Sequence, residues 1–237
     1  MSRSFCAARE ALKATHREIQ STGRRCVALS ADMSREDQWS RIVDETVSAF
    51  GGLDVLVYGA ATAEEIAPII QSTSDGWDLV MRVNLKGAFM VSKLCHPHMK
   101  SRGGGSVIHI TSNECFRPSF GLVTYSISKG AMVTMTQVCA KEWAGDKIRV
   151  NCIAPGLVRT ELAEPLVKMV ETSGRYPNPL KTYRRASRDS GYGAIPRKSC
   201  WRLRDRADIC RGWGRAGIRS ARQSMTASTG SDQRAAM

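Results

Sequence analysis

Apolar side chains recur at helical spacing over residues 7–20, at Ala8, Leu12, Ala14 and Ile19, and Gly23 closes the helix they predict. The run Cys26-Val-Ala-Leu-Ser30 predicts a short buried strand. Ser34, followed by Glu36 and Asp37, predicts the start of a second helix whose inner side carries Trp39, Ile42, Val43, Val47 and Phe50. Gly51-Gly52 stops that helix, and Leu53-Asp-Val-Leu-Val57 reads as the next strand. A long helix is expected over residues 75–98, broken off by Gly103-Gly-Gly105. Then follow a strand at 106–110, a helix at 125–143 and a strand at 148–153 that ends in Pro155-Gly156. Strands alternating with long helices imply an α/β fold with a parallel sheet of Rossmann type, wound on both faces.

Composition changes this picture little and charge changes it more. Of 237 residues, 42% are hydrophobic and 24% charged, which is ordinary for a globular domain. No run reaches the roughly 18 apolar residues of a membrane span. The opening MSRSFCAAREALK has no apolar signal core, so the expected compartment is the cytoplasm, with no membrane partner. Eight scattered cysteines form no CxxC pair and are expected to be reduced. Cys95, His96 and His98 come nearest to a metal cluster, but His-x-His at a helix end splays its rings, so no metal is expected. The net charge of +13 is concentrated late: residues 181–237 hold 14 Lys and Arg against 4 Asp and Glu. That segment shows no regular basic face to meet phosphates, so no nucleic-acid partner is expected.

The chemistry centres on Ser112, Tyr125 and Lys129. Tyr125 and Lys129 stand four apart and share one helix face, and Ser112 lies at the end of a strand, where a parallel sheet presents its ligands. Asn84 sits in the preceding long helix, in Val83-Asn-Leu-Lys-Gly87. Taken singly, Ser112 reads as a strand-end cap, Tyr125 as a half-buried helix residue and Asn84 as a helix polar group. Together they form an orienter, an acid and its activating cation.

In this order and spacing the chain resembles the short-chain dehydrogenase/reductase family. The likeness is carried by Ile110-Thr-Ser112, Tyr125-Ser-Ile-Ser-Lys129, the VNLKG helix, Arg149-Val-Asn-Cys-Ile-Ala-Pro-Gly156 and Thr160, with Asp32 in an Ala-Asp-Met-Ser loop. It covers roughly residues 7–181. The resemblance implies hydride transfer between NADP or NAD and a ketone or secondary alcohol, of the 3-oxoacyl-reductase or sugar/steroid dehydrogenase kind. Tyr125 would then exchange the proton, with Lys129 favouring its phenolate and holding the nicotinamide ribose. Ser112 would hold the substrate oxygen, and Asn84 would support a water that relays protons to Lys129. By the same likeness Asp32 would meet the adenine ring and Ala60 the adenosine ribose, while Pro155, Gly156, Val158 and Thr160 would grip the carboxamide. A dimer or tetramer built on the helices of 75–98 and 122–143 is implied as well.

The family pattern also fails in places. No G-x-x-x-G-x-G turn stands near the start, where the family meets the cofactor pyrophosphate. Met1-Ser-Arg-Ser4 looks like the end of the second family strand, so the sheet is expected to lack its first two strands. Arg3, if it keeps its family place, would suit the 2′-phosphate of NADP. Tyr58-Gly-Ala-Ala61 replaces the usual Asn-Asn-Ala-Gly, and Tyr58 is not expected to reproduce the Asn hydrogen bonds between strands. After Lys181 the periodicity is lost, so the chain divides into a partial Rossmann domain at 1–181 and a disordered basic tail at 182–237 without the last strand. The alternative function is an inactive remnant that associates with intact relatives.

Dropping the first base of the Thr182 codon and choosing synonymous codons restores a string that begins Arg-Ile-Gly-Glu-Pro and ends Val-Val-Asp-Gly-Gly, which resembles the family's C-terminus. A one-base insertion near codon 182, real or a sequencing error, is the expected origin of the tail. The coding DNA checks it: codons from Thr182 onward that do not permit the restored string rule the insertion out.

Overall fold

The computed structural model describes residues 3–160, 162–174, 184–185 and 207–211. The rest of the 182–237 tail, with the disorder expected of it, lies outside the described residues. The chain opens with helix α1 (Arg3–Ser21), then α2 (Glu36–Phe50), strand β1 (Val55–Tyr58), α3 (Ser74–Met81) and α4 (Gly87–Ser101). It continues through β2 (Gly105–Ile110), α5 (Val123–Glu142), β3 (Ile148–Pro155), β4 (Val158–Arg159), α6 (Glu164–Ser173), β5 (Arg184–Arg185) and β6 (Ala207–Arg211). None of the described helices is long and apolar enough to cross a membrane.

The main sheet runs β1-β2-β3-β6. The first three strands are parallel, with Val57 opposite Ile108 and His109 opposite Cys152. Helices α2, α4 and α5 cover one face, and their apolar sides meet those of the strands. Trp39 and Val43 pack with Ala88, Val91, Cys95 and Met99, and these with Val107, Met132, Ile148 and Val150. The alternation of β1 exposes its other side, so Val55 and Val57 stand more than half exposed. The architecture is therefore the α/β class read from the pattern, in a partial sheet.

Four expectations are corrected. Residues 26–30 form no strand and are mostly exposed. A strand needs a neighbour for its N–H and C=O groups, and no described strand lies on that side of β1. Arg3 and Ser4 open α1 instead of ending a strand, so the NADP hint attached to Arg3 loses its support. Ser34 does not cap α2. The residue before that helix is Arg35, without a side-chain cap, and Ser34 turns back to Asp32. Beyond β3 the sheet position expected to be empty is taken by Ala207–Arg211. That strand runs antiparallel, with Ile209 opposite Ile153, and pairs the polar edge of β3.

The long helix of 75–98 is real but not uniform. Between α3 and α4 the backbone widens into a π-turn over Arg82–Lys86, closed by the Gly87 N–H on the Arg82 carbonyl. Such insertions gather at functional positions, and Asn84 lies in this one. Tyr58 explains how it is held. Its buried hydroxyl donates to the Val83 carbonyl at 2.6 Å, so Tyr58 ties β1 to the π-turn instead of tying strand to strand. Burial pushes its phenol well above the usual tyrosine range.

A Cβ on Gly87 would lie 2.5 Å from the Tyr58 hydroxyl and 3.5 Å from its ring carbon Cζ. Gly87→Ala is therefore expected to destabilise the fold by about 1–3 kcal/mol, measured by urea unfolding. Removing the hydroxyl relieves the clash, so Y58F/G87A should cost less than the two single changes summed.

Candidate active site

Parallel strands deliver their carboxyl ends to one edge, and the expected site residues gather there. Ser112 follows β2 by two residues in extended conformation, and its hydroxyl accepts the Glu114 N–H at 3.2 Å. Tyr125 stands in the first turn of α5 and Lys129 one turn on. The Ser112 hydroxyl lies near the Tyr125 phenol and acts to lower its pKa. The Lys129 ammonium lies 5.6 Å from the centre of the Tyr125 ring and donates to the Ile110 carbonyl at 2.9 Å.

Burial dominates the electrostatics. It pushes the Tyr125 phenol up, the nearby Ser112 hydroxyl draws it partly back, and the charges of Glu114 and Cys115 raise it further. Burial also draws the Lys129 ammonium down to about 8, with Cys115 opposing that shift. At neutral pH the pair is thus a protonated phenol beside a mostly charged lysine, which is the acid form of a proton donor.

Asn84 is fully buried beneath this edge. Its Oδ1 accepts the Thr62 N–H at 2.8 Å, and its Nδ2 donates to the Thr62 carbonyl at 2.9 Å and to the Ser128 hydroxyl at 3.0 Å. Ser128 in turn donates to the Tyr125 carbonyl at 2.7 Å. Asn84 therefore reaches the site through α5 and the loop after β1.

The residues assigned to a nicotinamide cofactor divide into two groups. Ala60 follows β1, Pro155 ends β3, Gly156 follows it, and Val158 lies in β4, all at the carboxyl edge. Thr160 accepts the Ala163 N–H with both its carbonyl and its hydroxyl. Lys129 uses one of its three N–H groups on Ile110, which leaves donors for a ribose hydroxyl. This end fits the nicotinamide half. The other end does not. Asp32 sits in a loop attached to no strand, and its Oδ1 is taken by the Ser34 N–H and hydroxyl at 2.9 and 2.7 Å. These bonds hold the Asp32 carboxyl below its usual range. No Gly-rich turn for a pyrophosphate exists among the described residues.

Two side chains beside the site escaped the sequence reading. Glu64, in the loop after β1, accepts the Thr124 N–H at 2.6 Å and the Tyr125 N–H at 3.1 Å. Nothing local in the sequence marks a partner sixty positions away. His109 did leave a signal, as the one ionisable group in its strand. It is fully buried between Ser92 Oγ (2.9 Å from Nε2) and Thr136 Oγ1 (2.8 Å from Nδ1). Thr136 gives its own proton to the Met132 carbonyl. It must therefore accept from Nδ1–H, which leaves Nε2 to accept from Ser92. The ring is neutral, drawn down to about 4 by burial and by the nearby Lys129 charge. Of the cluster considered for a metal, Cys95 turns into the core, where burial pushes its thiol up to about 12, and His96 bonds Asp146 at 2.9 Å.

Comparison with known proteins identifies the family. The family model for short chain dehydrogenases matches residues 3–171, and the chain belongs to that family. The rabbit (Oryctolagus cuniculus) dehydrogenase/reductase SDR family member 4 is 34% identical over 148 residues, covering 62% of this chain and 57% of that protein. Among solved structures, an NAD+-bound xylitol dehydrogenase superposes with a TM-score of 0.67 at 25% identity, over 75% of this chain and 74% of that one. An NAD(P)-dependent gluconate 5-dehydrogenase of Beutenbergia cavernae with bound NADP gives 0.65 at 29% identity, over 73% and 70%. The chain spans little more than half the length of the curated relatives it matches.

Because the folded-state value of His109 is depressed, its contribution to stability is complete above about pH 6.5 and is lost as pH falls towards about 4. The loss should approach about 3 kcal/mol. Urea unfolding between pH 7.5 and 5 is expected to show about 2 kcal/mol of it, and H109Q should flatten the slope. An equal slope in both proteins would remove His109 as the cause.

Proposed function

We propose that this chain carries the proton-transfer site of an NAD(P)-dependent oxidoreductase acting on a ketone or secondary alcohol. The observation that supports it most is the buried Lys129 ammonium 5.6 Å from the centre of the Tyr125 ring, with the Ser112 hydroxyl near the phenol. The nicotinamide, when bound, supplies the hydride to the carbonyl carbon or takes it back. Ser112 orients the substrate oxygen, and Tyr125 gives it a proton in reduction or removes one in oxidation. Lys129 favours the phenolate that reduction leaves and offers its remaining donors to the ribose. Asn84 positions Ser128 and the loop after β1, and a proton relay towards Lys129 is assigned to it. Pro155, Gly156, Val158 and Thr160 are assigned to the nicotinamide end, and Ala60 and Asp32 to the adenosine end. NADP and NAD both remain candidates, since the strand-end Arg3 that favoured NADP is absent. The two solved relatives are named for a polyol and a sugar acid, which favours a hydroxylated substrate of that kind.

A homodimer or tetramer in the cytoplasm belongs to this reading. Trp77, Leu79, Phe89, Ile127 and Val138 stand exposed on α3, α4 and α5, and Met81, Leu85 and Met135 line a groove there. A second reading, an inactive relative that only associates with complete ones, is favoured by the lack of a Gly-rich pyrophosphate turn among the described residues.

Titration with NADPH and NADH separates the two. A working site should raise the melting temperature and reduce small ketones. Y125F should then lose at least about 100-fold in turnover while keeping the melting shift. Because burial raises the phenol, alcohol oxidation should quicken as pH rises through the alkaline range. No melting shift with either cofactor would support the second reading.

A further inference from the structure

We propose that Glu64 is a positioning residue for Tyr125, closing the N-terminus of α5 from the loop after β1 and setting the field at the phenol. The proposal rests on the reading of Tyr125 as the proton-exchanging group. Helix α5 lacks a cap of its own: Leu122 precedes it and makes no side-chain cap bond. Glu64 supplies one. Oε1 accepts from Thr124 at 2.6 Å, and both oxygens face the Tyr125 N–H, at 3.3 and 3.1 Å. A carboxylate here satisfies open N–H groups and offsets the positive end of the helix dipole.

Glu64 is not a loose surface side chain, because its loop is gripped on both sides. Asn84 holds both main-chain groups of Thr62, two residues before it. The Ala67 N–H donates to the Gly121 carbonyl at 3.2 Å, three residues after it. Gly121 has a φ of +84°, and a Cβ there would lie 2.6 Å from Ile66. That close approach presses the loop against the start of α5. The groups around Tyr125 are then Lys129 from α5, Ser112, Glu114 and Cys115 from the turn after β2, and Glu64 from the loop after β1. Of these, Glu64 alone acts through the main chain of Tyr125 itself.

Glu64→Gln keeps an acceptor oxygen and removes the charge, whereas Glu64→Ala removes both. Two readouts independent of turnover are used on the full chain. They are amide hydrogen exchange at Thr124 and Tyr125, and the alkaline absorbance titration of Tyr125, taken as the difference from Y125F. E64A should speed exchange at these two amides by at least about tenfold. E64Q should largely preserve their protection, yet lower the pH at which Tyr125 ionises by about half a unit, since a nearby negative charge is gone. An unmoved Tyr125 titration in E64Q overturns the proposal even where E64A frays the helix, because Glu64 is then a cap and nothing more. Unchanged exchange in E64A overturns it as well. A wild-type chain that binds no cofactor and turns over nothing removes the oxidoreductase reading, while both readouts still report on Glu64.

Discussion

A lysine ammonium only 2% exposed sets the terms for the rest of this structure. Drawing Lys129 from 10.5 to about 8 corresponds to about 3 kcal/mol of preference for the neutral form. The fold must offset that cost with partners that cannot move away. The Ile110 carbonyl accepts at the end of β2, and the face of Tyr125 lies one helical turn back. His109, two strand positions before the Thr111-Ser112 corner, is kept neutral by bonds that fix its tautomer. A second cation there would repel the first, so the neutrality of His109 and the charge of Lys129 are one constraint. The parallel sheet matters because it brings the Ile110 carbonyl, Ser112 and the first turn of α5 to the same edge.

A mechanical consequence follows at the loop after β1. Tyr58 grips the π-turn through the Val83 carbonyl, the π-turn presents Asn84, Asn84 grips Thr62, and Glu64 grips the start of α5. Each link is a hydrogen bond to main chain, so each fixes a backbone position more than a side chain. Ser128 closes the circuit by joining Asn84 to the Tyr125 carbonyl. In this way the start of α5 that carries Tyr125 is located by the loop after β1 and the π-turn, segments that lie far from it in sequence.

That circuit also shows what was legible beforehand. Ser112, Tyr125 and Lys129 could be read because their relation is local: a helix face and a strand end. The helices at 36–50 and 123–142 and the strands at 105–110 and 148–155 followed from their own periodicity. The Cys26–Ser30 strand misled because its apolar pattern presumes a neighbouring strand, and the described residues offer none. Tyr58 does not tie the strands, as its departure from the family Asn implied, but its own bond to the π-turn spans 25 positions and left no local signal. Glu64 was invisible because a cap supplied across sixty positions leaves no spacing to recognise. Asp32 shows the opposite hazard: a residue in its family place whose first oxygen serves an ordinary turn.

The two ends of the candidate cofactor site thus depend on different parts of the fold. The nicotinamide end is built from β2, α5 and the end of β3, which pair and pack fully among the described residues. The adenosine end needs strands on the far side of β1, and among the described residues the sheet ends at β1, with Val55 and Val57 open to solvent. The residues that hold Tyr125 and Lys129 draw nothing from that side: each anchor, from the Ile110 carbonyl to Asn84, Glu64 and Ser128, lies between β1 and β3 in the sequence.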